Sequence, residues 1–173
     1  MKWFLLTFVI GCGAKVGMPI TSIDNACDHV TWTFVPNFLC DTPECVPLPA
    51  DQKDPAGAID GDLATRWTSG RSQGSGGVAE TVTVTFAAPV TIRGISLLTT
   101  VADDGPAAYR VEHSEDGVAF TGFNPPLAGA GSDTLTIQLP VAATTHAVRV
   151  VQTGGKTHGW SINELSTVGC SVN

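Results

Sequence analysis

Residues 58–67 read AIDGDLATRW and bring two carboxylates, Asp60 and Asp62, together around Gly61, followed by the Thr65 hydroxyl and the Trp67 indole. Such a set could act as an acid pair, as a metal loop or as a plain tight turn. Glycosidases place two carboxyls on opposite sides of a scissile bond, roughly 5 to 10 Å apart, and residues two apart on one turn cannot flank a sugar in that way. A hard cation such as calcium takes six to eight oxygens. An Asp-Gly-Asp turn can aim two carboxylates inward, with glycine permitting the sharp bend. In the plain alternative Asp60 and Asp62 only accept amides of their own turn, and Thr65 caps a neighbouring strand. No other catalytic set is expected. The serines are expected to lie outside any nucleophile elbow, and the four histidines form no metal-ligand pattern. His113 alternates with Tyr109 and Val111 and reads as a packed strand residue.

The chain that must position these groups has 173 residues, enough for one domain that buries its own core without an obligatory metal or disulfide. Its 19 glycines and 11 prolines point to many turns, hence to short strands rather than long helices. A net charge of −7 removes the attraction on which nucleic-acid binding depends and opposes anionic lipid surfaces. Nucleic acid is therefore not an expected partner, and a membrane is expected only through an anchor.

The N-terminal MKWFLLTFVIGCG carries one lysine and an apolar run too short to span a bilayer, which suits the core of a signal peptide. Val9-Ile10-Gly11-Cys12 looks like a bacterial lipobox, making residues 1–12 a signal with Cys12 as the lipidated residue; a plain secretory signal or a buried first strand are the alternatives. Five cysteines are an odd number for an exported protein, and removing Cys12 leaves four that can pair in an oxidising compartment. Three connectivities exist. Spacing favours Cys40 with Cys45, closing a small loop, and Cys27 with Cys170, tying the ends of the domain; the latter would contribute about 5 kcal/mol on the chain-entropy view. A zinc site is the rival reading, but these cysteines lack paired knuckles. The expected location is extracytoplasmic, at a bacterial outer membrane or cell surface as a lipoprotein, or secreted.

Residues 13–26 are small, mixed and aperiodic and read as a tether; 27–173 form the domain. The proline-rich stretch 41–57 reads as an irregular loop. From Glu80 onward ETVTVTF alternates Val82, Val84 and Phe86 inward with threonines outward, a half-buried strand. Further strands are expected at 91–99, 108–114, 133–139 and 146–153, separated by turn signals at 87–89, 103–106, 115–117 and 124–126. Short strands at regular intervals with no helical periodicity predict an all-β sandwich or jelly roll.

The order of four motifs, AIDGDLATRW, TVTVTFAAPVTIRGISL, AYRVEHSEDGVAF and VRVVQTGGKTHGWSINEL, resembles the discoidin domain, also called the coagulation-factor type C domain. It is similar too to the family 32 carbohydrate-binding modules. The resemblance covers about residues 27–170. It implies an all-β, eight-stranded jelly-roll sandwich, often closed by a disulfide between its ends, and a binding module rather than an enzyme. It also implies a structural calcium, with side-chain oxygens from Asp60, Asp62, Thr65 and Glu164 and main-chain carbonyls from Gly57 and Asn163.

Ligand is implied at loops 68–77, 101–107 and 153–160. A sugar needs an aromatic face and a few planar polar groups. Trp160 is the expected platform, or else a core residue, and Arg71 and Gln73 are expected to bond hydroxyls. Asp103, Asp104, Lys156 and His158 complete the candidate set, and Trp67 is expected in the core. Thr68 stands where galactose-binding members often carry histidine, and LLTTVA lacks their arginine, so galactose is not the expected sugar. The expected partner is a glycan or polysaccharide, or alternatively a cell-surface protein. The loops lack the apolar spikes flanked by cations that lipid binding requires.

Overall fold

The computed structural model describes residues 32–37, 54–77, 79–140, 144–169 and 171–172. The expected signal, lipobox and tether, and with them Cys12, Cys27, Cys40, Cys45 and Cys170, lie outside the described residues.

Alternation of β-branched and threonine residues does what it predicts in Thr81–Thr91, β3, where Val82, Val84 and Phe86 are buried and Thr81, Thr83 and Thr85 are half-buried. The strand does not stop at Ala87-Ala88-Pro89, expected as a turn. These residues form an exposed bulge, marked by a register shift between Thr85 and Val90 against the neighbouring strand, because proline cannot donate to the ladder. Trp32–Pro36 forms β1, Trp67–Thr68 β2, Gly94–Leu98 β4, Ala108–Ser114 β5, Thr121–Gly122 β6 and Ala128–Ala130 β7. Thr134–Gln138 forms β8, Thr144–Gln152 β9, Ser161–Ile162 β10, Glu164–Val168 β11 and Ser171–Val172 β12. Eight of these segments have three residues or more; the other four are two-residue pairings, so the described residues hold twelve segments rather than eight.

Seven strands make one antiparallel sheet in the order β1-β3-β9-β5-β6, with β12 beside β3 and β7 beside β5. β11-β4-β8 make the second sheet, and β10-β2 a two-stranded pair. The large sheet contributes Val82, Val84, Phe86, Val111, Val148 and Val150 to the core, and the smaller one Ile95, Leu97, Leu135, Ile137 and Leu165. Each such side chain contributes about 1.5–3 kcal/mol on burial, so the apolar faces of the two sheets are the main stabilising surface. β1, which no strong sequence signal marked, adds Phe34.

β3 and β5 begin, and β4 and β9 end, at the same end of the sandwich, which gathers the loops 69–80, 99–107 and 153–160 there. At the opposite end the 115–119 turn is organised by Asp116. Its Oδ1 accepts the Ser114 hydroxyl (2.9 Å) and the Val118 and Ala119 amides (2.8 Å each). Those amides and the hydroxyl hold its carboxyl at about 2, below the ordinary 3.8. A carboxyl whose pKa is depressed by folding stabilises the fold above its unfolded value and loses that contribution as pH falls through the folded one. Asp116→Asn is therefore expected to lower the melting temperature at neutral pH. The gap to wild type should close as pH falls from 3.8 to about 2, measured by thermal melts across that range.

Candidate functional site

The turn at 57–65 starts from a 3-10 segment, Pro55–Ala58, capped by Asp54, whose Oδ1 accepts the Ala56 amide at 2.9 Å. Asp60 Oδ1 then accepts the Asp62 amide and Asp62 Oδ1 the Ala64 amide, both at 2.9 Å, with Gly61 at φ 78° between them. The plain-turn chemistry is thus present. So is an oxygen cluster: Thr65 Oγ1 lies 2.7 Å from Asp60 Oδ2, 2.8 Å from Asp62 O and 3.4 Å from Gly57 O. Glu164, buried on β11, accepts the Gly61 amide at Oε2 (2.9 Å), from 103 residues away. Asn163 ties the turn from outside, its Nδ2 donating to Leu63 O (3.0 Å) and Thr65 O (2.8 Å). Among the described residues no three acidic, histidine or cysteine side chains converge as a metal-holding group. A cation here would depend on carbonyls and a hydroxyl beside the carboxylates, and an all-oxygen donor set of that kind fits calcium.

At the loop end Gln73, expected to bond ligand, is 3% exposed and holds three loops together instead. Its Nε2 donates to Gly105 O (2.9 Å) and Gly159 O (3.2 Å), and its Oε1 accepts the Ala107 amide (2.7 Å). Its main chain bridges to Lys156 and accepts from that residue's amide. Every polar atom of the side chain is used, so none is left for a sugar. Trp160 is likewise corrected: it has no exposed surface and packs edge-to-face on Trp67, ring centroids 6.1 Å apart. An indole in the core offers no face to a ligand.

Asp104 sits at the centre of what remains. Its Oδ2 accepts the Ser161 hydroxyl (2.7 Å) and its Oδ1 lies 3.4 Å from His158 Nδ1. The His158 side chain is 51% exposed, so the imidazole stands at the surface. Lys156 Nζ donates to Asp103 O (3.3 Å) and Gly105 O (3.2 Å), closing this loop against the next. Asp103 is exposed and adopts φ 67°, the left-handed region that aspartate tolerates better than most residues. The strain is supported by Asp133, whose carboxylate accepts the Asp103 amide (3.1 Å) and the Gly105 amide (2.9 Å). Backbones cross closely here: a Cβ at Gly131 would fall 1.4 Å from Pro106 O. Arg71 pairs with Glu80 (3.1 Å).

Asp133, Ser161, Ser69 and Glu80 were not among the sequence-derived candidates. Ser69 accepts the Trp160 amide at Oγ (3.0 Å) and donates its own amide to Trp160 O (2.8 Å). Gly70-Arg71-Ser72-Gln73-Gly74 does spell G-x-S-x-G, against the expectation that no serine would. The context is wrong for a nucleophile, because no α-helix follows β2 and the Ser72 hydroxyl donates to Thr157 O (2.9 Å) while the His158 imidazole turns to Asp104.

A sandwich of antiparallel sheets with its loops gathered at one end is the architecture of a jelly roll. Residues 48–165 match the family model of the F5/8 type C domain, and the chain belongs to that family. Solved structures share the fold. The family 32 carbohydrate-binding module of Clostridium perfringens NanJ, solved with galactose, is 16% identical with a TM-score of 0.59, over 80% of this chain and 93% of that one. The C-terminal domain of a chitobiase from Bacteroides fragilis is 22% identical with a TM-score of 0.59, over 82% and 95%. Chitosan-binding module 2 of a chitosanase/glucanase from Paenibacillus sp. IK-5, solved with chitotriose, is 20% identical with a TM-score of 0.58, over 79% and 95%. No curated protein matches the chain.

Gln73→Ala would leave the part-buried Ala107 amide and the Gly159 carbonyl without that partner, a loss of about 1–3 kcal/mol. Chemical denaturation should show that loss, and hydrogen exchange at Ala107 should speed up before that of β3 and β9. Unchanged exchange at Ala107 would show that Gln73 is not the tie between the loops.

Proposed function

We propose that the chain is a non-catalytic carbohydrate-binding module that meets its ligand at the loop end. The observation that carries this reading is the side-by-side placement of Asp104 and His158 on two facing loops, which Lys156 of the one joins to Asp103 of the other through a hydrogen bond. Such groups bond the paired hydroxyls of a sugar, and the imidazole stands exposed among them. Structural neighbours solved with galactose, with GalNAc-β-1,3-galactose and with chitotriose support the class of ligand. With Trp160 in the core, recognition rests on hydrogen bonds rather than on stacking against that ring. A glycan array with the full chain and with His158→Ala tests this: the wild type should bind at least one glycan class and the variant should lose about tenfold in affinity, the scale of one strong hydrogen bond.

The burial of Trp160 and the tight packing of the loops favour one alternative, a protein partner at the cell surface. Silence of the wild type across the array would select it.

We propose in addition that the 57–65 turn holds a structural calcium through Gly57 O, Asp60, Asp62, Thr65, Glu164 and the Asn163 carbonyl, and that the module acts outside the cytoplasm, anchored through Cys12 or secreted. A cation bound only by the folded state stabilises it by mass action. Chelation should therefore lower the melting temperature of calcium-loaded protein, and Asp60→Ala should abolish that shift. Identical melts with and without chelator would leave the turn as a turn.

A further inference from the structure

Glu80 alone among the described acidic residues has no exposed surface. It stands two residues before Val82, so the alternation that buries Val82, Val84 and Phe86 turns it inward as well, and its carbonyl accepts the Gln152 amide at 2.8 Å. One carboxylate oxygen accepts Arg71 Nε at 3.1 Å. The other, Oε2, is equally buried, with the Ser69 hydroxyl alongside, and makes no hydrogen bond of ordinary geometry among the described residues. Burial pushes the carboxyl above the usual carboxylate range, while the hydrogen bond and charge of Arg71 pull the other way.

A buried, half-satisfied carboxylate weakens a core unless its charge serves something, because apolar or neutral side chains of the same volume fill such sites at no electrostatic penalty. The group it serves is Arg71. That side chain is 19% exposed and therefore reaches from Glu80 to the surface. Its own carbonyl lies beside Gly159, at 3.3 Å from the position of a Cβ there, and so beside the loop that carries His158. Arg71 is thus gripped at its Nε from below while its backbone rests against the proposed ligand surface.

We propose that Glu80 is a positioning residue, whose buried carboxylate fixes the orientation in which the Arg71 guanidinium meets a ligand at the loop end. This rests on the carbohydrate reading above. A flexible arginine loses rotamer freedom on binding; one already held by a buried carboxylate has lost it in folding, and the affinity gained is the difference.

The experiment is a thermodynamic cycle on the full chain with Glu80→Gln, Arg71→Ala and the double variant, titrating galactose, GalNAc-β-1,3-galactose and chitotriose by calorimetry and recording thermal melts. Glu80→Gln keeps the volume and removes the charge, and with it the charged grip on Arg71 Nε. Its affinity is expected to be about tenfold weaker, with a cooperative melt retained. In the Arg71→Ala background Glu80→Gln should have no further effect on affinity, because two residues acting through one contact are not additive. Additive losses, or a Glu80→Gln variant that binds like the wild type, would overturn the inference while leaving the carbohydrate reading standing. A wild-type chain that binds none of the three sugars would overturn the inference, and silence across the wider array would overturn the carbohydrate reading with it. Should Glu80→Gln fail to fold, Arg71→Lys reads the same contact from its other side: it keeps the cation without the Nε donor, and undiminished affinity would overturn the proposal.

Discussion

The crossing of Trp67 and Trp160 is the constraint on which both polar regions of the molecule depend. The two indoles are fully buried with ring planes at 77°, and Phe34 continues the stack against Trp67 at a centroid distance of 6.0 Å. Edge-to-face pairs of this kind contribute about 0.5–1.5 kcal/mol beyond the area they bury. Their position matters more than that energy. Trp67 ends the oxygen-rich turn and opens the 69–80 loop; Trp160 ends the 153–160 loop and leads through β10 to Asn163 and Glu164. The β2–β10 pairing, Trp67 opposite Ile162 and Thr68 opposite Ser161, locks the two chain segments in register. One packing event therefore sets where the turn oxygens meet Glu164, where the 69–80 loop begins and where the 153–160 loop ends.

Around that anchor the polar residues divide by whether their hydrogen-bonding capacity is spent inside the protein. Gln73, Ser69, Ser161 and Asp133 spend it on neighbouring loops, and each is a tie between segments far apart in sequence. His158, Lys156 and Asp103 keep surface exposed or half-exposed. The first group makes the second rigid. Loops without secondary structure are ordinarily the mobile part of a β-sandwich. Here side-chain-to-backbone bonds replace the ladder, so folding has already removed the ordering entropy of the groups the loops present.

Several strands and their inward faces were legible because period-2 alternation is a strong signal when valines and threonines carry it. β5 has the limits its residues suggest, 108–114, and β9 extends the expected strand by two residues at its start. What escaped is informative in the same terms. Glu80 is in phase with Val82 and Val84, so the pattern that placed the valines also places this carboxylate inside; a charge at the edge of the run hid the signal. Gln73 gave no local sign of its role, since a glutamine in a serine and glycine loop looks solvated until two other loops are brought to it. Trp160 was ambiguous for a related reason. An aromatic beside a loop serves equally as platform or anchor, and its burial is decided by Trp67, 93 positions earlier. β1 spans five residues and buries Phe34, too short a run for periodicity to register.

Asn163 joins the two polar regions. Its Nδ2 holds the carbonyls of Leu63 and Thr65, while its Oδ1 accepts the Thr100 amide at 2.8 Å and lies 3.4 Å from the Thr99 hydroxyl. Its amide donates to Leu98 O at the end of β4. One buried side chain thereby fixes the back of the oxygen-rich turn to the start of the loop that carries Asp103 and Asp104. It uses both donors and its acceptor, and none can be released without leaving a buried group unpaired, at about 1–3 kcal/mol each. The turn and the loop must therefore keep their mutual position in any state that keeps the core.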